Sequence, residues 1–219
     1  MKLNDVQKKL LKHISFSRLE AWLDGTFHER YVLEKDLIAG LPDTVQKAVD
    51  FGTYHDDIIT GAQKIQSKED LSVIEQLPQD VQAEVNLNGS FRHTFKDGTV
   101  MYFPLFGRCD YLFYDGAIGE RKTCSEKRML QMLRKSKKQN TFYVLTVKYG
   151  TEGLPKSRTC HTYISFTEQA GGEYRHTGEV RHFEYEITDK NITGMKQRIH
   201  HYIDGVCAKY ADTETVDTE

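Results

Sequence analysis

The chain has no long apolar run, no closely paired cysteines and no surplus of charge. No stretch approaches the ~20 apolar residues that a bilayer crossing needs, so a membrane partner is not expected. The opening residues Met1 to Asp5 lack the apolar core of a secretory signal, and a cytoplasmic protein is the default expectation. The four cysteines, Cys109, Cys124, Cys160 and Cys207, stand too far apart for a zinc ribbon. Reduced, partly buried thiols are the state expected of them. Proline is scarce, and 38% of residues are hydrophobic, which excludes collagen-like and wholly disordered chains. A net charge of −2 excludes a molecule that binds polyanions over its whole surface. At 219 residues, one domain is expected.

What charge there is falls unevenly. Arg121, Lys122, Lys127, Arg128, Arg134, Lys135, Lys137 and Lys138 follow one another, and only Glu126 opposes them. Such a stretch is either a local footprint for a polyanion or a solvated helix face. The end of the chain, residues 212–219, is acidic and reads as a loose tail.

Periodicity gives the coarse organisation. Lys9 to Leu37 reads as helical, with Ser15 and Ser17 as caps, Leu19, Trp22, Leu23 and Phe27 as an apolar stripe, and Gly25 as a divider. Thr44 to Ile65 reads as a second helix, and Leu71 to Gln82 as a short one. Alternation then predicts strands over Val81 to Phe95, Thr99 to Phe106, Gly107 to Tyr114 and Ala117 to Thr123. Asp97-Gly98 and Asp115-Gly116 supply turns, and Pro104 is expected to end or kink its strand. A helix over Met129 to Tyr149 follows, then strands over Cys160 to Thr167 and Glu179 to Ile187. Asp189 to Tyr210 closes the chain as a helix with Met195, Ile199, Tyr202, Ile203 and Val206 on one face. Residues 150–158 and 169–178 read as irregular. The order predicts an α/β fold, a central mixed sheet flanked by helices. Residues 1–80 form its helical part, 81–167 its core, and 168–211 its last strands and helix.

One segment concentrates chemistry. Asp110 lies mid-strand among apolar neighbours, and Glu120 and Lys122 stand two apart on the next strand, sharing a face. An acid and a base on the apolar side of a strand are costly to bury without a partner or a task. A cross-strand ion pair is the plain reading of such a short pattern. Phosphodiester hydrolysis is the other: carboxylates hold a divalent cation, and a lysine serves the water or the phosphate.

Asp110, a hairpin and then Glu120-Arg121-Lys122 resemble the core of the PD-(D/E)XK nucleases. Gln139-Asn140-Thr141-Phe142-Tyr143 is similar to the Gln-x-x-x-Tyr motif of the RecB-type and lambda-exonuclease-like branch. Phe51-Gly52-Thr53-Tyr54-His55 is similar to its Gly-x-x-His helix, and Ile14 to Leu19 to its N-terminal helix. The resemblance spans about residues 14 to 166. It implies a restriction-endonuclease-like core with Mg²⁺ or Mn²⁺ held by His55, Asp110 and Glu120, and by the carbonyl of Arg121. It implies that Lys122 orients or activates the attacking water and that Gln139 and Tyr143 position the DNA strand. Phosphate contacts would come from Lys127, Arg128, Arg134, Lys135, Lys137 and Lys138. Glu84 stands where several members carry a further acidic residue, with a surface glutamate as the alternative. The implied activity is a metal-dependent exonuclease acting on DNA in recombination, repair or phage DNA processing. A non-catalytic DNA-binding accessory subunit and a site- or structure-specific endonuclease are the alternatives. DNA is the implied partner, with a homo-oligomer or a recombination protein as further candidates. The compartment would be the cytoplasm of a bacterium, or of the host if the gene is phage-borne. Iron–sulfur members carry a cysteine where this chain has Gly25-Thr26, and a C-terminal cysteine cluster where it has only Cys207, so no cluster is expected.

The metal reading constrains strand register. A two-residue turn at Asp115-Gly116 would pair residues whose numbers sum to 231, putting the two carboxylates on opposite faces. A three-residue loop, Tyr114-Asp115-Gly116, gives 230 and sets Asp110 opposite Glu120, with Gly116 in the left-handed region. Purified protein is expected to be colourless and iron-free; a brown preparation with iron–sulfur absorbance would contradict the reading of the cysteines.

Overall fold

A computed structural model of the chain describes residues 2–33, 42–150, 153–154 and 156–212. Five strands form one mixed sheet in chain order. β1 (Gln82–Thr94), β2 (Val100–Leu112) and β3 (Ile118–Cys124) are joined antiparallel. β4 (Thr159–Ala170) runs parallel to β3, and β5 (Glu173–Glu186) runs antiparallel to β4. The parallel step needs a crossover, which α6 (Met129–Tyr149) supplies after a 3-10 turn at Glu126–Arg128.

α6 packs on one face of the sheet together with α7 (Asp189–Lys209), α1 (Asp5–Leu11), α2 (Phe16–Leu23) and α3 (Phe27–Tyr31). The expected α7 stripe, Met195, Ile199, Tyr202, Ile203 and Val206, is buried there. α4 (Asp43–Thr60) and α5 (Lys68–Glu75) lie over β3 and β5 on the other face. The fold is the expected one, an α/β mixed sheet flanked by helices in a restriction-endonuclease-like arrangement.

Three local expectations need correction. The first helical stretch is broken into α1, α2 and α3. Ser15 caps α2, accepting from the Arg18 N–H, and Gly25 (φ +80) separates α2 from α3, as read from sequence. The break after α1 exists because Ile14 pairs with the edge of β2: its N–H donates to the Pro104 carbonyl (2.7 Å) and its carbonyl accepts from the Phe106 N–H (2.8 Å). The same contact explains why Pro104 does not end the strand. Positions 104 and 106 turn their backbone groups away from β1, so the missing proline N–H removes no bond from the β1–β2 ladder. One strand therefore replaces the two expected over residues 99–114. Finally, β4 and β5 extend through most of 169–178, turning at Gly171-Gly172 with both residues at positive φ. Residues 34–41 and 213–219, where the first helix was expected to end and the acidic tail to run, lie outside the described residues.

The turn between β2 and β3 has the three-residue form. The Phe113 N–H donates to the Ala117 carbonyl (3.0 Å), and the Gly116 N–H donates to the Phe113 carbonyl (2.9 Å). Tyr111 pairs with Gly119 and Leu112 with Ile118, so each pair sums to 230. Gly116 sits at φ +81, where an L side chain is strained. Gly116→Val is expected to cost about 1–2 kcal/mol, and Gly116→Asn clearly less, since asparagine tolerates this region. Urea denaturation measures both; equal losses would contradict the left-handed loop as the cause of the register.

Candidate active site

β2 and β3 pair at only two positions and then part. β2 continues beside β1, and β3 beside β4. Asp110 and Glu120 are the first residues past the last pair, one on each arm of this fork. The Arg121 N–H donates to the Asp110 carboxylate at 2.8 Å, a side-chain bond where the ladder has ended. The register thus sets Asp110 opposite Glu120, close enough for the Asp110 carboxylate to raise the Glu120 carboxyl.

The backbone is irregular at this point. Cys109 and Leu112 both enter the main core while Tyr111 packs with Val73 and Leu77 on the α5 side, which a strict period of two does not allow. Across β1 the irregularity coincides with Glu84, the one non-glycine residue with positive φ (+55) among the described residues. Strained backbone of this kind costs about 1–3 kcal/mol and collects at functional sites.

Glu120 is fully buried and Lys122 lies against it in an ion pair with Oε2, while Oε1 has no partner. Burial pushes the Glu120 carboxyl up to about 8, and the neighbouring Asp110 adds to the rise while Lys122 opposes it. Burial works to lower the Lys122 ammonium, but the Glu120 and Asp110 carboxylates outweigh it and hold it above its ordinary value.

From sequence, Arg121 is counted in the basic stretch and given its carbonyl as a metal ligand, with no partner named for its side chain. Its guanidinium is buried, with Nε 3.0 Å from Asp56 and a terminal nitrogen 3.4 Å from Glu84. Arg108 stands 3.6 Å from the other Glu84 oxygen. Glu84 is therefore engaged by two arginines, with its side chain partly exposed. Four carboxylates, of Asp56, Glu84, Asp110 and Glu120, meet three cations, of Arg108, Arg121 and Lys122.

His55 approaches from α4. It is 2% exposed, its Nδ1 lies 2.9 Å from Nε2 of His176 on β5, and its own Nε2 is buried without a partner. Burial, with His176 and Arg121 adding, lowers it to about 3, so the ring is neutral. His55 and Lys122 line a cavity of about 290 Å³ together with Asp56, Lys135 and Gln139. Among the described residues, no three histidine, cysteine, aspartate or glutamate side chains converge as a ready metal cluster. Asp110 and Glu120 come together; His55 borders the cavity beside them without closing the set.

Gln139 and Tyr143 share a face of α6, and the Gln139 amide donates to the Tyr143 hydroxyl at 2.7 Å. The Tyr143 ring comes close against β2 at Gly107, where a Cβ would come within 2.6 Å of it. Tyr143 is buried in the core and also borders a second cavity of about 420 Å³. Lys135 and Gln139 line both cavities, so the two adjoin, and Arg30 and Arg108 stand at the outer one. The basic stretch divides around the helix. Lys135 faces this cleft, Arg134, Lys137 and Lys138 border a separate cavity against the start of α7, and Lys127 and Arg128 are exposed in the 3-10 turn. All four cysteines are buried and free.

The sequence missed Asp70 and His176. Asp70 carried only a capping signal, Ser67-x-x-Asp70, and His176 fell in a segment read as irregular.

No protein-family profile matches the chain, and no curated protein sequence matches it. Its fold is similar to that of a Eubacterium rectale protein provisionally named an exonuclease, with a TM-score of 0.55 and 12% identity over 98% of this chain and 89% of that one. It is also similar to SSO0001, with a TM-score of 0.53 and 14% identity over 93% and 85% of the two chains. At these identities the likeness establishes the fold.

A carboxyl whose folded pKa lies above its unfolded value favours folding while protonated and loses that contribution as pH rises. Glu120 should therefore make EDTA-treated protein lose stability between pH about 4.5 and about 8. The buried neutral His55 acts oppositely, costing stability as pH falls below about 6.5. The difference between wild type and Glu120→Gln isolates the glutamate. Denaturation at pH 5, 6.5 and 8 should show wild type losing ground to the variant as pH rises, and a constant difference would contradict the assigned burial cost.

Proposed function

We propose that the chain is a divalent-metal-dependent nuclease hydrolysing DNA phosphodiester bonds, with the fork between β2 and β3 as its catalytic centre. The observation that carries this reading is the pair of facing carboxylates at the fork, Asp110 and the buried Glu120, with Lys122 on one Glu120 oxygen and the other oxygen without a partner. Leaving a buried carboxylate without a full partner costs several kcal/mol, and a divalent cation removes that cost as a structural ion pair with Lys122 alone does not.

The donors fit a hard cation in chemistry. The unpartnered Oε1 of Glu120, the Asp110 carboxylate and the free Nε2 of His55 would hold Mg²⁺ or Mn²⁺, with the Arg121 carbonyl as a further oxygen. When bound, the cation would neutralise phosphate charge and lower the pKa of a water. The chain's own residues do the rest. Lys122, released from Glu120, orients the attacking water or steadies the phosphate. Gln139 and Tyr143 hold the strand against β2, and Lys135, Arg108 and Arg30 meet phosphates along the cleft, where most non-specific affinity arises. Lys127, Arg128, Arg134, Lys137 and Lys138 extend the basic surface beyond it. The finer reading, an exonuclease in recombination, repair or phage DNA processing, draws on the sequence motifs and on the fold likeness to a protein provisionally named for that activity.

Lys122 seated on Glu120, with no third donor closed around them, favours a second reading: a DNA-binding subunit on a nuclease fold that does not cut. One assay separates the two. End-labelled linear DNA and closed circular DNA are incubated with Mn²⁺ or with EDTA. Cleavage is expected with Mn²⁺ only, on the linear substrate for an exonuclease and on both for an endonuclease. Asp110→Asn and Glu120→Gln should cut below detection while still binding DNA. Lys122→Ala should lose roughly 10²-fold or more in rate while keeping its Mn²⁺ affinity. DNA binding without cleavage by wild type, or near wild-type cutting by either carboxylate variant, would overturn the proposal.

A further inference from the structure

Behind His55 lies a buried chain of polar groups drawn from three elements. Asp70 of α5, His176 of β5 and His55 of α4 are 4%, 2% and 2% exposed. His176 Nδ1 lies 2.6 Å from Asp70 Oδ1, and His176 Nε2 lies 2.9 Å from His55 Nδ1. The other Asp70 oxygen, Oδ2, accepts from the Tyr54 hydroxyl at 2.7 Å and from the backbone N–H groups of Ser67 (3.1 Å) and Gln66 (3.3 Å). Phe51 packs edge-on against the His176 ring, 4.7 Å between centroids, and fixes its plane.

We infer that Asp70 and His176 are positioning residues that set the tautomer of His55, leaving its Nε2 as a bare lone pair at the cavity shared with Lys122. A carboxylate surrounded by donors can only accept. His176 must then carry its proton on Nδ1. With one proton per ring, its Nε2 accepts from the His55 Nδ1–H, and the His55 Nε2 is left unprotonated. That nitrogen is buried and without a partner. The arrangement is the carboxylate–histidine support of a metal-ligating imidazole, lengthened by one ring. It rests on the reading of His55 as a metal ligand given above, and adds to it the residues that make such ligation chemically available.

Asp70→Asn tests the direction of the relay without changing its shape. The three donors at Oδ2 hold the amide oxygen there, so the amide NH₂ takes the place of Oδ1 and donates to His176 Nδ1. The proton of His176 moves to Nε2, which donates to His55 Nδ1, and the His55 Nε2 becomes an N–H that cannot ligate. Long-range ¹H–¹⁵N correlation on EDTA-treated, ¹⁵N-labelled protein reads the tautomers directly. Manganese EPR reads free Mn²⁺ and hence affinity. Wild type should show His55 protonated at Nδ1. Asp70→Asn should show it protonated at Nε2, with Mn²⁺ affinity lower by roughly 10–100-fold and an otherwise unchanged amide spectrum. Wild-type His55 protonated at Nε2 would overturn the inference, whether or not the variant folds. Mn²⁺ affinity insensitive to Asp70→Asn but lowered by His55→Ala would overturn the positioning role alone. Affinity insensitive to both would overturn the metal reading of His55 beneath it.

Discussion

The centre of this molecule depends on where two antiparallel strands stop pairing. A three-residue loop with Gly116 at its left-handed position fixes the register, and the ladder ends two pairs later. The Asp110 carboxylate takes the Arg121 N–H and forms the first contact of the open fork. Alternation then sends the Arg121 guanidinium towards Asp56 and Glu84 on one side, and Glu120 and Lys122 to the other. A slip of one residue would separate the carboxylates and leave the guanidinium without its partners. Strand β2 tolerates a proline near its middle because Ile14 occupies its outer edge, so the strand reaches the fork unbroken.

Charge is the second constraint. The fork gathers carboxylates from α4, β1, β2 and β3 around cations from β2 and β3, with Glu120 and Arg121 buried and Asp56, Glu84 and Arg108 open to solvent. The buried Glu120 oxygen without a partner calls for a proton, the direction in which burial moves this carboxyl, or for a bound cation. Proton and cation compete for the same oxygens, which ties the acid–base behaviour of the resting site to the proposed catalytic one.

Much of this was legible in the sequence because it is local. The turn chemistry of Asp115-Gly116, the two-residue spacing of Glu120 and Lys122, and the four-residue spacing of Gln139 and Tyr143 each report on a neighbour a few positions away. What escaped is long-range. Pro104 reads as a strand breaker until Ile14, ninety positions earlier, is seen beside it. Asp70 draws no notice in the sequence until His176, 106 positions later, is seen at its side chain. The basic stretch reads as one surface, but the helical period sends Lys135 to the cleft and Arg134, Lys137 and Lys138 elsewhere. Glu84 was placed only as one of two readings, because its position follows from a backbone irregularity that no residue type announces.

Thermal unfolding in rising Mn²⁺ tests the central claim most directly, since a ligand that binds only the folded state raises the melting temperature with its concentration. The account predicts a concentration-dependent rise for wild type at pH 8 that largely disappears in Glu120→Gln. An equal rise in both proteins, or none in wild type, would contradict a cation site built on the fork.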